Sequence, residues 1–223
     1  MAHRITLIHA VEVAIPPIRD AFAKLWPEAD VYHLLDDSLS ADLSAAGSLT
    51  DPIKERIRTL AAYAMDTGSD GILFTCSAFG DAIEEARQGA AVPVLKPNEA
   101  MFEAALDIGS NIAMLATFAP SVPSMEAEFY EQAQRRGASA KIRSIVVPAA
   151  MAALKDGDAD THNKLLADAS ANLKGYDAVL LAHFSTAQAS NAVADVLDAP
   201  ILTSPQSAVA ALSRLVNVCA VSP

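Results

Sequence analysis

Apolar and polar residues alternate along this chain in a repeating way: short apolar runs separated by longer segments with helical spacing. The short runs read as buried strands, and segments with apolar residues three and four apart read as helices. Ile5 to Ala10 is the first strand. Pro16-Pro17 opens a helix over 18–26, because proline suits the first helical turn, and Pro27 stops it. Val31 to Leu35 is a second strand, and 36–47 is small and polar, a loop or a weak helix. Thr50-Asp51-Pro52 starts a helix over 53–67 with apolar residues at 53, 57, 60, 61 and 64, ended by Gly68. A strand over 71–75 stops at Cys76 and leads into a helix to about residue 88. A short strand over 92–95 and a helix over 100–107 follow.

The pattern then starts again. Strands are expected at 112–117, 141–147, 178–182 and 199–202, and helices at 123–136, 160–174, 186–197 and 206–216. Ile5 matches Ile112, Pro16 matches Pro123, Phe22 matches Phe129, Asp70 matches Asp177, Leu73 matches Leu180 and Pro93 matches Pro200, each pair 107 residues apart. The Val31 and Lys141 strands need a small shift. Strands alternating with helices imply parallel sheets joined by crossovers. The expected fold is therefore α/β: two pseudo-symmetric, flavodoxin-like lobes with parallel sheets, residues 1–107 and 108–223, with room for exchange of the C-terminal helix between them.

The same offset pairs Cys76 with His183. Each ends a strand and precedes a helix, at the sheet edge where open α/β proteins bind ligands. Two lobes related by a pseudo-two-fold axis are expected to face these edges across a cleft, with a thiol and an imidazole flanking one ligand.

Composition narrows the classes. Apolar residues at 52% and charged residues at 19% fit a folded globular chain. A net charge of −11 argues against nucleic acid and anionic membranes as partners, and leaves room for a small anion held by backbone amides. Two widely spaced cysteines are no disulfide framework, so a reducing, cytoplasmic setting is expected. The start, Met1 to Ile5, runs straight into a strand without a leader-like apolar stretch, and no apolar run reaches the roughly 18 residues of a membrane span. The sequence contains no GxGxxG, P-loop, HxxxH or CxxC, so neither a cofactor nor a metal is expected.

The chemistry-bearing residues follow from position. Cys76 at a helix start is expected to have a lowered thiol pKa and to act on a proton next to a carboxylate or on an electron-poor alkene. His183 suits the opposite acid–base role, or pairing with Cys76 to take its proton. His9, at the end of the first strand, is a further candidate. Backbone amides of Ser77, Ala78 and Phe79, and of Phe184, Ser185 and Thr186, can cradle a carboxylate, with hydroxyls from Ser77, Ser185 and Thr186. Lys96 is a candidate contact for a substrate anion. Asp36-Asp37 reads as a solvated pair and Cys219 as structural.

Phe74-Thr75-Cys76-Ser77-Ala78 and Leu180-Leu181-Ala182-His183-Phe184-Ser185 resemble the two motifs of the aspartate/glutamate racemase superfamily, which includes hydantoin racemases, maleate isomerases and arylmalonate decarboxylases. The resemblance implies two similar α/β lobes, a site between them and a small carboxylate substrate; it places Thr117 at the substrate carboxylate, with Phe118 beside it. A homodimer is the expectation at the level of the fold. This chain departs from the pattern in carrying His183 where the second cysteine stands, and His9-Ala10 where glutamate racemases carry Asp-Ser. The leading reading is a cofactor-independent isomerase of the racemase or epimerase type, working by Cys76/His183 acid–base chemistry at an α-carbon. Three alternatives stand beside it: a one-thiol lyase or decarboxylase, a cis-trans isomerase with Cys76 as nucleophile, and a non-catalytic carboxylate-binding relative.

Overall fold

The computed structural model describes residues 2–219. The first repeat runs β1 (Arg4–His9), α1 (Ile15–Leu25), β2 (Asp30–Leu35), α2 (Leu39–Ala46), α3 (Asp51–Asp66), β3 (Gly71–Phe74), α4 (Gly80–Arg87), β4 (Val94–Leu95) and α5 (Glu99–Ile108). The second runs β5 (Asn111–Ala116), α6 (Val122–Arg135), β6 (Lys141–Val146), α7 (Pro148–Lys155), α8 (Ala159–Ser170), β7 (Ala178–Leu181), α9 (Ser190–Ala194), β8 (Ile201–Thr203) and α10 (Ser204–Cys219). All strand pairs are parallel, in two four-stranded sheets of the same order, β2-β1-β3-β4 and β6-β5-β7-β8.

The chain forms two compact units. One contains the residues up to Pro97 together with those from Ala208 onward; the other is Asn98–Ser207. The repeat boundary at 107/108 is thus not the boundary of compactness: α5 belongs with the second sheet, and most of α10 with the first. Packing inside each unit shows the fit. In the first unit Gly71 lies so close to α10 that a Cβ there would stand 2.9 Å from Val216 and 3.0 Å from Leu212. In the second unit Ala178 holds the place of Gly71, and Ala105 the place of Leu212, within one apolar cluster. A small residue on the strand, Gly71, is met by a large one on the helix, Leu212, whereas the second unit has alanine at both places.

Strand alternation sorts the apolar side chains to the two faces of each sheet. In the second unit Ile112, Met114 and Ala116 pack on one face with α5 and α6 residues, and Ala113 and Leu115 pack on the other with Leu166 and Val193. In the first, Ile8, Ile72 and Phe74 share a cluster with Ile53, Ile57 and Ile83. The 107-residue offset is visible in detail at the strand starts. Asp70 accepts the Arg4 amide at 2.8 Å, and Asp177 accepts the Asn111 amide at 2.8 Å and that of Ser110 at 2.7 Å. These backbone hydrogen bonds hold the Asp177 carboxyl below the usual carboxylate range.

Three elements differ from the sequence expectation. Helix α7 lies where the sequence reading places no element; it buries only Ala150, so it carries almost no apolar periodicity. Helix α8 stops at Ser170, before Gly175. The helices after Cys76 and His183 begin as 3-10 turns, Ser77–Phe79 and Phe184–Ala189, before α4 and α9.

Gly109 lies against the Asp177 side chain, so a Cβ there collides with Cβ and the carboxyl group. We expect Gly109→Ala to displace Asp177 from both amides and to destabilise the protein by about 1–3 kcal/mol. Urea unfolding should show a lower midpoint at unchanged slope; an unchanged midpoint contradicts this account.

Candidate functional site

In the first unit, Cys76 follows β3 in extended backbone (φ −118°, ψ 121°) and precedes the Ser77–Phe79 turn. It is half-buried and packs at the edge of the cluster of Ile8, Ile72 and Phe74. Burial pushes its thiol pKa up, against opposing hydrogen bonds from the Ala78 amide and the Ser40 hydroxyl. The sequence expectation of a lowered pKa is thereby corrected. Only a three-residue 3-10 turn lies directly after the sulfur, too short a dipole to offset desolvation. At neutral pH Cys76 rests as a thiol, a proton donor.

Ser40 reaches this place because the segment after β2 is held down. Its hydroxyl donates to the Ala10 carbonyl at 3.2 Å. Arg56 of α3 clamps Asp36 at 2.5 Å and Asp42 at 2.5 Å, and Ser38 adds a hydrogen bond to Asp36 at 2.8 Å. Asp36 is therefore ion-paired and not merely solvated: burial works to raise its pKa, and the bonds to Arg56 and Ser38 bring it below the usual value. Lys96 is buried, with its ammonium 3.5 Å from Glu84. Cys219, read as structural, ends α10 and is exposed.

His9 is fully buried at the end of β1. Its Nδ1 is 2.8 Å from Thr75 Oγ1 and its Nε2 is 2.9 Å from His33 Nδ1. Both nitrogens are engaged inside the unit, which leaves neither for a direct substrate contact. Burial first, and then the His33 ring, push its pKa down to about 3. His33 was not singled out from the sequence. Its only signal is position: it pairs with Leu7 in the β1–β2 register, so it shares a face with His9 two residues on. That register is invisible until the strands are paired.

In the second unit, His183 is half-buried at the end of β7. The Thr117 amide donates to its Nδ1 at 3.1 Å, and Thr117 Oγ1 lies 3.2 Å from the same atom. An amide can only donate, so Nδ1 is the bare nitrogen and the neutral ring carries its proton on Nε2. Nε2 then donates to Ser121 Oγ at 2.9 Å, and Ser121 donates to the Phe118 carbonyl at 2.8 Å. This polarity is the reverse of a Ser–His nucleophile pair, in which the imidazole accepts the serine proton. Burial pushes the His183 pKa down to about 4. A second proton would also have to enter at Nδ1, against the Thr117 N–H.

The remaining predicted residues divide by environment. Thr186 is fully buried and accepts the His183 amide at 3.3 Å while donating to the His183 carbonyl at 2.7 Å, so it fastens the turn. Phe79 is fully buried in the apolar cluster below Cys76, and Phe184 is buried. Ser77 and Ser185 are buried next to the two strand ends, Ala78 is half-buried, and Thr117 is buried. Phe118 is half-buried and contributes its carbonyl to Ser121. Among the described residues no three His, Cys, Asp or Glu side chains gather as a metal-ligand set. No helix among them is long and apolar enough to cross a membrane.

Two predictions follow from the histidines. In ¹⁵N-histidine-labelled protein at pH 7, His183 should show a protonated Nε2 and a bare Nδ1; a protonated Nδ1 contradicts the hydrogen-bond assignment. For His9 and His183 the folded pKa lies below the unfolded value of about 6.5, so the unfolded chain binds more protons between them. Stability therefore falls as pH drops below about 6.5 and levels off only near the folded values. From pH 8 to pH 5 each ring should cost about 2 kcal/mol, and His9→Gln should remove its own share of that slope. Flat stability over this range in the parent chain rules the account out.

No protein-family model matches the sequence, and no curated protein sequence matches it. Solved structures do. A glutamate racemase from Bacillus anthracis superposes with a TM-score of 0.73 at 14% identity, over 97% of this chain and 82% of that one. The aspartate racemase of Picrophilus torridus gives 0.70 at 15% identity, over 97% and 95%. The allantoin racemase of Klebsiella pneumoniae gives 0.69 at 17%, over 97% and 89%. An arylmalonate decarboxylase variant gives 0.62 at 17%, over 96% and 93%. The fold of this chain is the one shared by these racemases and the decarboxylase, as the motif resemblance implied.

Proposed function

We propose that this protein is a cofactor-independent isomerase of the racemase or epimerase type, moving a proton at the α-carbon of a small carboxylate. The observation that carries the reading is the equivalence of Cys76 and His183: each stands two residues past the end of its strand, at the same place in two units of the racemase fold. Cys76 is the principal proton carrier and His183 the second exchanging group. The amides and hydroxyls at Ser77, Ala78, Ser185 and Thr117 are the groups for the carboxylate and for the charge of an enolate-like intermediate.

One observation favours a second reading, a one-thiol lyase or decarboxylase of the same fold. Cys76 rests as a thiol, and His183 is neutral with its bare nitrogen held by Thr117. A protonated thiol suits donation to a carbanion generated by loss of CO₂. Two-sided isomerisation needs a base in addition, so His183 must first release the Thr117 amide.

Incubation in D₂O with both enantiomers of glutamate and aspartate, and with an arylmalonate, separates the readings. An isomerase exchanges the α-hydrogen of both enantiomers; a decarboxylase incorporates one deuteron and releases gas. In either case Cys76→Ala should lower turnover by about a thousandfold, in line with loss of a positioned acid–base group, while ligand binding persists. Full turnover by that variant excludes the thiol from the chemistry.

A further inference from the structure

The first unit contains a buried polar chain that the second lacks. Thr75, His9 and His33 are joined by hydrogen bonds of 2.8 and 2.9 Å, and Thr75 Oγ1 also lies 3.4 Å from the Ile8 carbonyl. The corresponding positions after β7 and on β5 are Ala182 and Ala116, both buried and apolar. Leu7 pairs with His33 and Ile8 with Phe74, which puts His9, His33 and Thr75 on one face of the sheet. Cys76 packs on the other face, with Ile8, Ile72 and Phe74. The two rings are nearly stacked, with centroids 5.1 Å apart. His9 is completely buried, whereas His33 is half-buried.

The chain can be filled in two ways, and the Thr75–His9 and His9–His33 bonds are made in both. In the first, Thr75 O–H donates to His9 Nδ1, His9 Nε2–H donates to His33 Nδ1, and His33 carries its proton on Nε2. In the second, His33 Nδ1–H donates to His9 Nε2, His9 Nδ1–H donates to Thr75 Oγ1, and Thr75 O–H points onward to the Ile8 carbonyl or to a ligand. Both keep the two imidazoles neutral, as burial and the charge of Arg19 on α1 near His33 require. Neutral rings with two exchangeable tautomers are the condition for relaying a proton without storing charge.

We infer that Thr75, His9 and His33 form a proton conduit between solvent at His33 and the Thr75 hydroxyl at the end of β3, resupplying the reaction assigned to that strand end. This deepens the function proposed above and rests on it for the identity of the reaction. The step balances. Starting from the second filling, the Thr75 O–H bond breaks and its proton passes to the substrate carbanion, forming a C–H bond. The His9 Nδ1–H proton re-forms Thr75 O–H, the His33 Nδ1–H proton moves to His9 Nε2, and solvent protonates His33 Nε2. The chain is left in the first filling, and the reverse direction removes a proton. The conduit gives the first unit a second proton route besides the Cys76 thiol, without calling on the ring that Thr117 holds. His9 and His33 are positioning and relay residues.

The decisive measurement needs no substrate. In ¹⁵N-histidine-labelled protein, the exchange of the His9 ring N–H with water is followed by NMR in the parent chain and in His33→Gln, which keeps a hydrogen bond and cannot tautomerise. The conduit predicts that exchange slows about tenfold or more in the variant, with the amide spectrum of β1 unchanged. Equal rates overturn the proposal. His33→Asn, shorter but equally unable to relay, decides the case if His33→Gln fails to fold. On whichever of glutamate, aspartate or the arylmalonate is turned over, Thr75→Val should lower kcat at constant KM and Thr75→Ser should restore it; an unaltered kcat in Thr75→Val removes the conduit from catalysis. If Cys76→Ala stays active while His33→Gln slows the ring exchange, the proposed reaction fails and the conduit stands. The converse pattern removes the conduit alone.

Discussion

The parallel register of β1 with β3 and of β5 with β7 is the constraint on which the proposed chemistry depends. Ile8 pairs with Phe74, and Leu115 with Leu181. From those two pairings the next residues follow without freedom: His9 comes beside Thr75, and Thr117 beside His183. A slip of one residue would send each polar side chain to the opposite face, into apolar clusters that offer no partner. The register is held at its far end by Asp70 and Asp177, whose carboxylates take the strand-start amides at the same relative position in both units. The alignment of the strand ends is thus secured at the opposite end of each strand, by carboxylates bound to backbone amides.

Duplication has left the backbone nearly unchanged and the polar content unequal. β5 begins and ends 107 residues after β1, and β7 does the same after β3. The first unit spends its polarity on the face of His9 and Thr75 and keeps a thiol on the other. The second unit keeps the first of those faces apolar with Ala116 and Ala182, and ties its imidazole to an amide and a serine on the strand-end turn. Histidine at position 183 is therefore a different device from cysteine at 76: its hydrogen-bonding capacity is committed within its own unit, whereas the thiol has only weak partners. Desolvation acts on both and favours the neutral form in each, so the resting edge carries mobile protons but little charge.

Much of the fold was readable because it rests on spacing. Ile5/Ile112, Pro16/Pro123 and Pro93/Pro200 mark equivalent turns and strands, and their common offset places Cys76 and His183 at equivalent edges without any knowledge of packing. Helix α7 was not readable, since Pro148-Ala149-Ala150-Met151 has no apolar periodicity to detect. The thiol pKa was misread because a helix dipole can be guessed from sequence while the density of protein around a sulfur cannot. His33 and Ser121 were not recognised as partners of His9 and His183, because hydrogen bonds across 24 and 62 residues depend on strand register and turn geometry.

The division of the chain has a consequence for its biosynthesis. Every residue of the second compact unit, Asn98–Ser207, lies between the two pieces of the first. Gly71 and its sheet receive Leu212 and Val216 only when α10 has emerged. On a ribosome the order of completion is therefore inverted: the unit encoded later can close first, while the one begun at the start waits with an uncovered sheet face. The thiol-bearing unit therefore cannot complete its core before α10 is made, whereas every residue of the enclosed unit already precedes that point.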